Sequence, residues 1–249
     1  MIQLTIIKIT GYGPWTLTLG SDREHKLQML QSSLYNETQN LFSEKNCLVF
    51  SNRFDELFVI TNGLSLNEHV EIQKKLTELF NIELSMTIGN GQSPFEANLD
   101  ADKARKSKMF LEKKHNIFGF TNGKADQNVQ IMHFDVDGST SIAAKKSPYE
   151  VSSLIFKLYS KMSEFFLSRN ALTFFMGGDN FMVVTAGNGK EEAEKFLKLI
   201  KERYGILLNC GIGSAKTARE AAKLATRSLD RIRELRDIGK KKRILELTC

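Results

Sequence analysis

Two short stretches carry the residue types that could do chemistry. His133–Thr140 reads HFDVDGST, and Met176–Asn180 reads MGGDN. Alternation along a strand places Met132, Phe134 and Val136 on one side, and Ile131, His133, Asp135 and Asp137 on the other. With the apolar set facing helices, the acids stand on an open face near the strand's end. Asp179 falls in a hairpin turn. In a split βαβ sheet that hairpin lies beside the strand, so Asp135 and Asp179 converge across neighbours about 4.8 Å apart. Two carboxylates about 5 Å apart repel by roughly 3 kcal/mol at an effective dielectric of about 20. A divalent cation offsets that repulsion, and oxygen ligands alone suit Mg²⁺ better than zinc. Gly138, Ser139 and Thr140, just before a helix, offer backbone N–H groups to phosphate. Gly177 and Gly178 leave the turn bare, so a bulky ligand can come close to the backbone. Asp137 shares the face of Asp135 as a further metal or water ligand, and His133 on that face is a candidate base. Taken singly, Asp-Gly and Gly-Gly-Asp are also ordinary turn sequences, and a strand histidine is also an ordinary packing residue.

The elements that must position these residues are written twice. The hairpin NALTFFMGGDNFMVVTAG (Asn170 to Gly187) has an echo 124 residues upstream, NCLVFSNRFDELFVITNG, identical at seven of eighteen positions. The same offset pairs Tyr35 with Tyr159, Phe42 with Phe166, and Gly89 with Gly213. One offset across most of each half indicates a duplicated domain of roughly 120 residues. In the second half VQIMHFDV is a strand. Val151, Leu154, Ile155, Leu158, Tyr159, Met162, Phe165 and Phe166 then share one helix face. The hairpin follows, then a helix from about Gly189 to Tyr204, the strand GILLNCGIGSA, a helix to Arg236 with Gly239 as its stop signal, and the strand RILELT. The expected class is α+β: two tandem ferredoxin-like domains, 1–124 and 125–249, with antiparallel sheets and helices on one face. The seam falls in TNGKADQN, Thr121 to Asn128. At the constant offset Gly11 stands where Asp135 is, Gly13 where Asp137 is, and Arg53 and Phe54 where the two glycines are. Only Asp55 survives, so the first half should lack the metal pair.

Composition narrows the classes. No apolar run reaches the roughly 18 residues of a membrane span, and the start MIQLTIIKIT reads as a strand, not a leader. Three scattered cysteines suit free thiols in a reducing cytoplasm. Four dispersed histidines without a CxxC or HxxxH pair argue against zinc. The net charge is +6, and Arg227–Arg243 holds eight basic and three acidic residues. Such a block can bind phosphate or form a solvated helix face; no nucleic-acid partner and no membrane is expected.

A strand ending in FDVDGS, a GGD turn and a late basic helix resemble the palm domains of nucleotidyl cyclases and GGDEF-type diguanylate cyclases. That resemblance places metal ligands on Asp135, the Val136 carbonyl and Asp179. It places a phosphate contact on Arg236 of RDIG, with Lys240 to Lys242 following. Asn180 departs from the GGDEF pattern, which has glutamate there. Along nearly the whole chain, ITGYGPWTLTLG, REHKLQMLQSSLY, NRFDELFVITNG, HFDVDGST and MGGDN are similar to the archaeal GTP cyclohydrolase III family. This similarity implies GTP as substrate and two Mg²⁺ ions without zinc. The guanine imidazole ring would be opened to 2-amino-5-formylamino-6-ribosylamino-4(3H)-pyrimidinone 5′-phosphate with release of phosphate, feeding flavin and deazaflavin biosynthesis. It also implies a homo-oligomer, a dimer or higher. The alternatives are a nucleotidyl or diguanylate cyclase and a non-catalytic GTP-binding sensor.

Overall fold

The computed structural model describes residues 1–120 and 127–249. The expected boundary at 124/125 lies outside the described residues, as does most of the expected seam from Thr121 to Asn128. The chain divides into two compact units. The first holds Met1–Gln92 and resumes at Glu96; the second holds Ser93–Phe95 and Gln127–Cys249.

The first unit runs β1 (Ile2–Ile9), α1 (Tyr12–Leu17), α2 (Arg23–Ser43), β2 (Leu48–Arg53), β3 (Glu56–Ile60), α3 (Leu66–Phe80), β4 (Leu84–Gly91), α4 (Pro94–Lys106), β5 (Phe110–Glu112) and β6 (Ile117–Gly119). The second runs β7 (Val129–Val136), α5 (Ser139–Ala143), α6 (Pro148–Leu167), β8 (Leu172–Gly177), β9 (Asn180–Thr185), α7 (Gly189–Tyr204), β10 (Leu208–Ala215), α8 (Ala218–Asp237) and β11 (Ile244–Thr248). The sheets are ordered β2-β3-β1-β4-β6-β5 and β8-β9-β7-β10-β11. Four strands in each therefore follow one arrangement. Their pairings are antiparallel, and a parallel strand joins at β4 or β10. This is the expected α+β class.

Each sheet carries helices on both faces, which corrects the expectation of one open face. In the second unit Met132, Phe134 and Val136 pack with Ile155, Leu158, Met162 and Phe166 of α6 and with Phe196 and Ile200 of α7. The other face, with Ile131, His133 and Asp135, is covered by α8. The reason lies in β10: a Cβ on Gly213 would sit 2.1 Å from the Ala221 carbonyl oxygen, and one on Gly211 2.1 Å from that of Ala225. Bare strand positions and the alanine stripe of α8 let helix and sheet approach backbone to backbone. The first unit repeats the device, since a Cβ on Gly89 would lie 2.1 Å from the Ala97 carbonyl oxygen.

The strand registers correct the constant offset. In β4 and β10, Gly89 and Gly213 are equivalent, and their partners are Leu4 and Ile131. On the first strand the offset is therefore 127, not 124. Gly11 matches Gly138; both are left-handed N-caps of a short helix, with φ of 61° and 72°. Lys8, not Gly11, stands where Asp135 is, and Thr10, not Gly13, where Asp137 is. Lys8 forms an ion pair with Glu56 at 3.6 Å. The first half has three extra residues between Gly11 and Phe42, and a single offset passes over them.

Candidate active site

The candidate residues gather where β7, the β8–β9 hairpin and the start of α6 meet. β7 ends because Gly138 takes a left-handed conformation, and the five-residue α5 follows, where a loop was expected. α6 starts sharply at a capping box: Ser147 accepts from the Glu150 N–H, and the Glu150 carboxylate accepts from the Ser147 N–H, with Pro148 in the first turn. Such a cap contributes about 1 kcal/mol. It fixes the helix that forms one wall of a cleft of ≈ 570 Å³.

Val136, Ser139 and Thr140 line this cleft, as do Gly178 and Asp179 of the hairpin turn. Phe156 and Phe175 face each other edge-on along its wall, ring centroids 5.8 Å apart. Among the anticipated residues, Val136, Ser139, Thr140, Gly178 and Asp179 are thus brought together, flanked by Gly138 and Gly177. The two turn glycines are required by the backbone: φ is +100° at Gly177 and +60° at Gly178. The equivalent Arg53 and Phe54 adopt no left-handed conformation, so that turn tolerates side chains. The bare turn is first a matter of geometry, with access for a ligand as its consequence.

Asp135 is buried, and its side chain turns toward α8. Its Oδ2 accepts from Arg233 Nη2 at 2.8 Å. Its buried Oδ1 finds no partner among the described residues. A buried carboxylate oxygen left without a donor is costly, and a cation is one species that would satisfy it. Antiparallel register sets Phe134 opposite Phe181; continued by one residue, it sets Asp135 opposite Asn180, next to Asp179. No group of three or more His, Cys, Asp or Glu is placed to hold a metal among the described residues. A cation here would thus draw on two carboxylates and a backbone carbonyl, a donor set that fits a hard ion completing its shell with water and phosphate.

Asp137 is engaged by two guanidiniums. Arg236 Nη1 donates to Oδ1 at 3.0 Å, and Arg243 Nη1 to Oδ2 at 3.0 Å. Burial pushes the Asp137 carboxyl up, but Arg243, Asn209 and Arg236 together outweigh it and hold the pKa below its ordinary value. Arg236 is therefore held on Asp137 and does not line the cleft. His133 is half-buried, with Nε2 3.1 Å from Asn180 Oδ1 and Nδ1 3.2 Å from Thr226 Oγ1. Burial lowers its pKa against the opposing pulls of Asn180 and Asp135. Both ring nitrogens are thus engaged by neighbouring side chains in this arrangement.

Sequence reasoning missed Arg233, Arg243, Thr226 and the aromatic wall. Arg233 had a signal, since it stands one helical turn before Arg236 in the basic block and so shares its face. Phe156 also had one, as an aromatic lying off the apolar stripe of α6; its exposure is 58 %.

The split βαβ sheet, with an acid at the end of its first strand and another in the adjacent hairpin turn, defines a ferredoxin-like α+β domain. The family model described as GTP cyclohydrolase III matches residues 1–244. A GTP cyclohydrolase III from Methanothermobacter thermautotrophicus is 35% identical over 237 residues, covering 94% of this chain and 95% of that protein. One from Methanocaldococcus jannaschii is 36% identical over 237 residues, covering 94% and 88%. The GGDEF domain of FimX from Pseudomonas aeruginosa aligns at 16% identity and a TM-score of 0.41, covering 49% of this chain and 82% of that one. The chain belongs to the GTP cyclohydrolase III family.

Proposed function

We propose that this protein is an enzyme that binds GTP with Mg²⁺ in the cleft of the second unit and opens the guanine imidazole ring. The product would be 2-amino-5-formylamino-6-ribosylamino-4(3H)-pyrimidinone 5′-phosphate, released with phosphate. Family membership supports the substrate. The observation that carries the site is Asp135, a buried carboxylate with one unsatisfied oxygen, at the strand end beside a cleft that Asp179 lines.

Asp135, the Val136 carbonyl and Asp179 would hold Mg²⁺, as two ions. When bound, Mg²⁺ supplies neutralisation of triphosphate charge and orients water for its hydrolysis. Ser139 and Thr140 offer hydroxyls to phosphate oxygens from the cleft floor. Phe156 and Phe175 give an apolar wall against which a purine can lie. Asp137 keeps Arg236 and Arg243 close to the strand end, where either guanidinium could exchange that partner for a phosphate. The second half of the chain, 125–249, is the working copy. The first, 1–124, has Lys8 in the place of Asp135 and serves a structural role; the shared strand arrangement supports an origin of both by internal duplication. We infer further a homo-oligomer working in the cytoplasm. Free cysteines suit a reducing compartment, and no helix among the described residues is long and apolar enough to cross a membrane.

The test is incubation with GTP and MgCl₂, following ultraviolet absorbance together with phosphate release. Loss of the guanine spectrum with phosphate release supports ring opening. An unchanged spectrum with a new phosphodiester product would make the protein a cyclase. Binding of GTP without turnover would make it a sensor.

A further inference from the structure

We propose that His133 and Asn180 are positioning residues: a one-way chain of hydrogen bonds from α8 through β7 and β9 fixes the Asp179 carboxylate for its cation. The inference rests on the reading of Asp179 as a metal ligand. Four side chains from α8, β7 and the β8–β9 hairpin are joined end to end. Thr226 Oγ1 lies 3.2 Å from His133 Nδ1, His133 Nε2 lies 3.1 Å from Asn180 Oδ1, and Asn180 Nδ2 lies 3.2 Å from Asp179 Oδ1.

For a neutral imidazole, only one direction of donation satisfies all three contacts. The Asp179 carboxylate can only accept, so the neighbouring Asn180 atom must be its NH₂ group. The Asn180 carbonyl oxygen then faces His133 and can only accept. His133 must therefore carry its proton on Nε2, which leaves Nδ1 as an acceptor for the Thr226 hydroxyl. Turning the Asn180 amide over would set its oxygen against the carboxylate, acceptor to acceptor. The anionic end of the chain thus selects one amide orientation and one imidazole tautomer. This gives Asn180 a use that a glutamate at that position lacks, because a carboxylate cannot donate to Asp179. It also gives His133 a role other than that of a base. Partners that orient ligating carboxylates in this way change metal affinity by about 10-fold to 100-fold when removed.

The experiment measures Mn²⁺ binding by electron paramagnetic resonance in the full chain and in H133F and H133Q. Turnover of GTP does not enter the readout. His133→Phe keeps an aromatic ring without a donor; His133→Gln keeps an N–H that can reach Asn180. Weakening by about 10-fold or more in the first variant, with recovery to within about 3-fold of wild type in the second, supports the inference. A folded H133F with wild-type Mn²⁺ affinity overturns it. If that variant does not fold, the tautomer is read in the wild-type protein from imidazole ¹⁵N shifts. A proton on Nε2 of His133 supports the chain, and one on Nδ1 overturns it. A wild-type protein that binds no Mn²⁺, with or without GTP, overturns the metal-centre reading itself and this inference with it.

Discussion

Replacing Arg233 with Ala removes the guanidinium that donates to Asp135 and leaves a buried carboxylate without that counter-charge. Two unit charges about 4 Å apart attract by roughly 4 kcal/mol at an effective dielectric of about 20. The Arg233 side chain is 47% exposed while that of Asp135 is 9% exposed, so water screens one end of the pair and reduces the loss. A net destabilisation of about 2 kcal/mol is expected, a fall in Tm of about 5 to 8 °C for a domain of this size. The decisive comparison is thermal unfolding by circular dichroism with and without MgCl₂. A cation at Asp135 supplies the positive charge that the variant lacks, so the difference from wild type should narrow as Mg²⁺ is added. Arg233→Met keeps the packing of the stem and should behave like Arg233→Ala. An equal Tm deficit at every Mg²⁺ concentration would refute the idea that Asp135 is a metal ligand. No deficit at all would show that the ion pair contributes nothing to the fold.

Asp179→Asn should reduce turnover of GTP by about 100-fold or more, whereas Asp55→Asn, in the turn held by Arg53, should leave it within about 3-fold of wild type; equal losses in steady-state assays would contradict the division of labour between the two units. Burial holds the fully buried His69 at a pKa of about 4, against 6.5 when unfolded. The unfolded chain therefore binds more protons between those values, and stability is lost as pH falls from 6.5 toward 4 by up to about 3 kcal/mol; chemical denaturation of H69Q should show a shallower acid slope, and an unchanged slope would remove His69 as its source. Gly178→Ala forces a side chain into φ of +60° and should cost about 1 to 2 kcal/mol, while Phe54→Gly should cost little; denaturant midpoints decide. Arg236→Ala should raise the KM for GTP more than it lowers kcat, and an unchanged KM would take Arg236 away from the phosphates.

The parts of the fold that were legible in the residues were those with a strong period. The apolar stripe of α6, the hairpin around Gly177 and Gly178, and α7 from Gly189 to Tyr204 all stand where periodicity and turn chemistry put them. α5 was not visible, because STSIA is too short to show a period and begins at a glycine that reads as a loop. The placement of α8 failed for a different reason. Its buried face, Ala218, Ala221, Ala222, Ala225, Ser228, Leu229 and Ile232, has a clear helical period, but a period does not say which side of the sheet the helix covers. The matching signal sat in the strand it covers, where Gly211 and Gly213 make room for backbone contact. That error also placed Asp135 and His133 on an open face, when both are engaged by α8. The types of residue at the site were readable from HFDVDGST and MGGDN. Their partners were not, because Arg233, Thr226 and Arg243 reach the site through tertiary packing of α8 and β11, which no local spacing encodes.

The claim on which the rest depends is that Asp135, at the end of β7, and Asp179, in the adjacent hairpin turn, hold one divalent centre together. Anomalous diffraction from crystals grown with MnCl₂ and a non-hydrolysable GTP analogue tests it most directly. The expected map has manganese within about 2.0 to 2.5 Å of a carboxylate oxygen from both residues, with the triphosphate in the same cleft. Manganese bound to neither aspartate, or triphosphate density in the first unit alone, would contradict it.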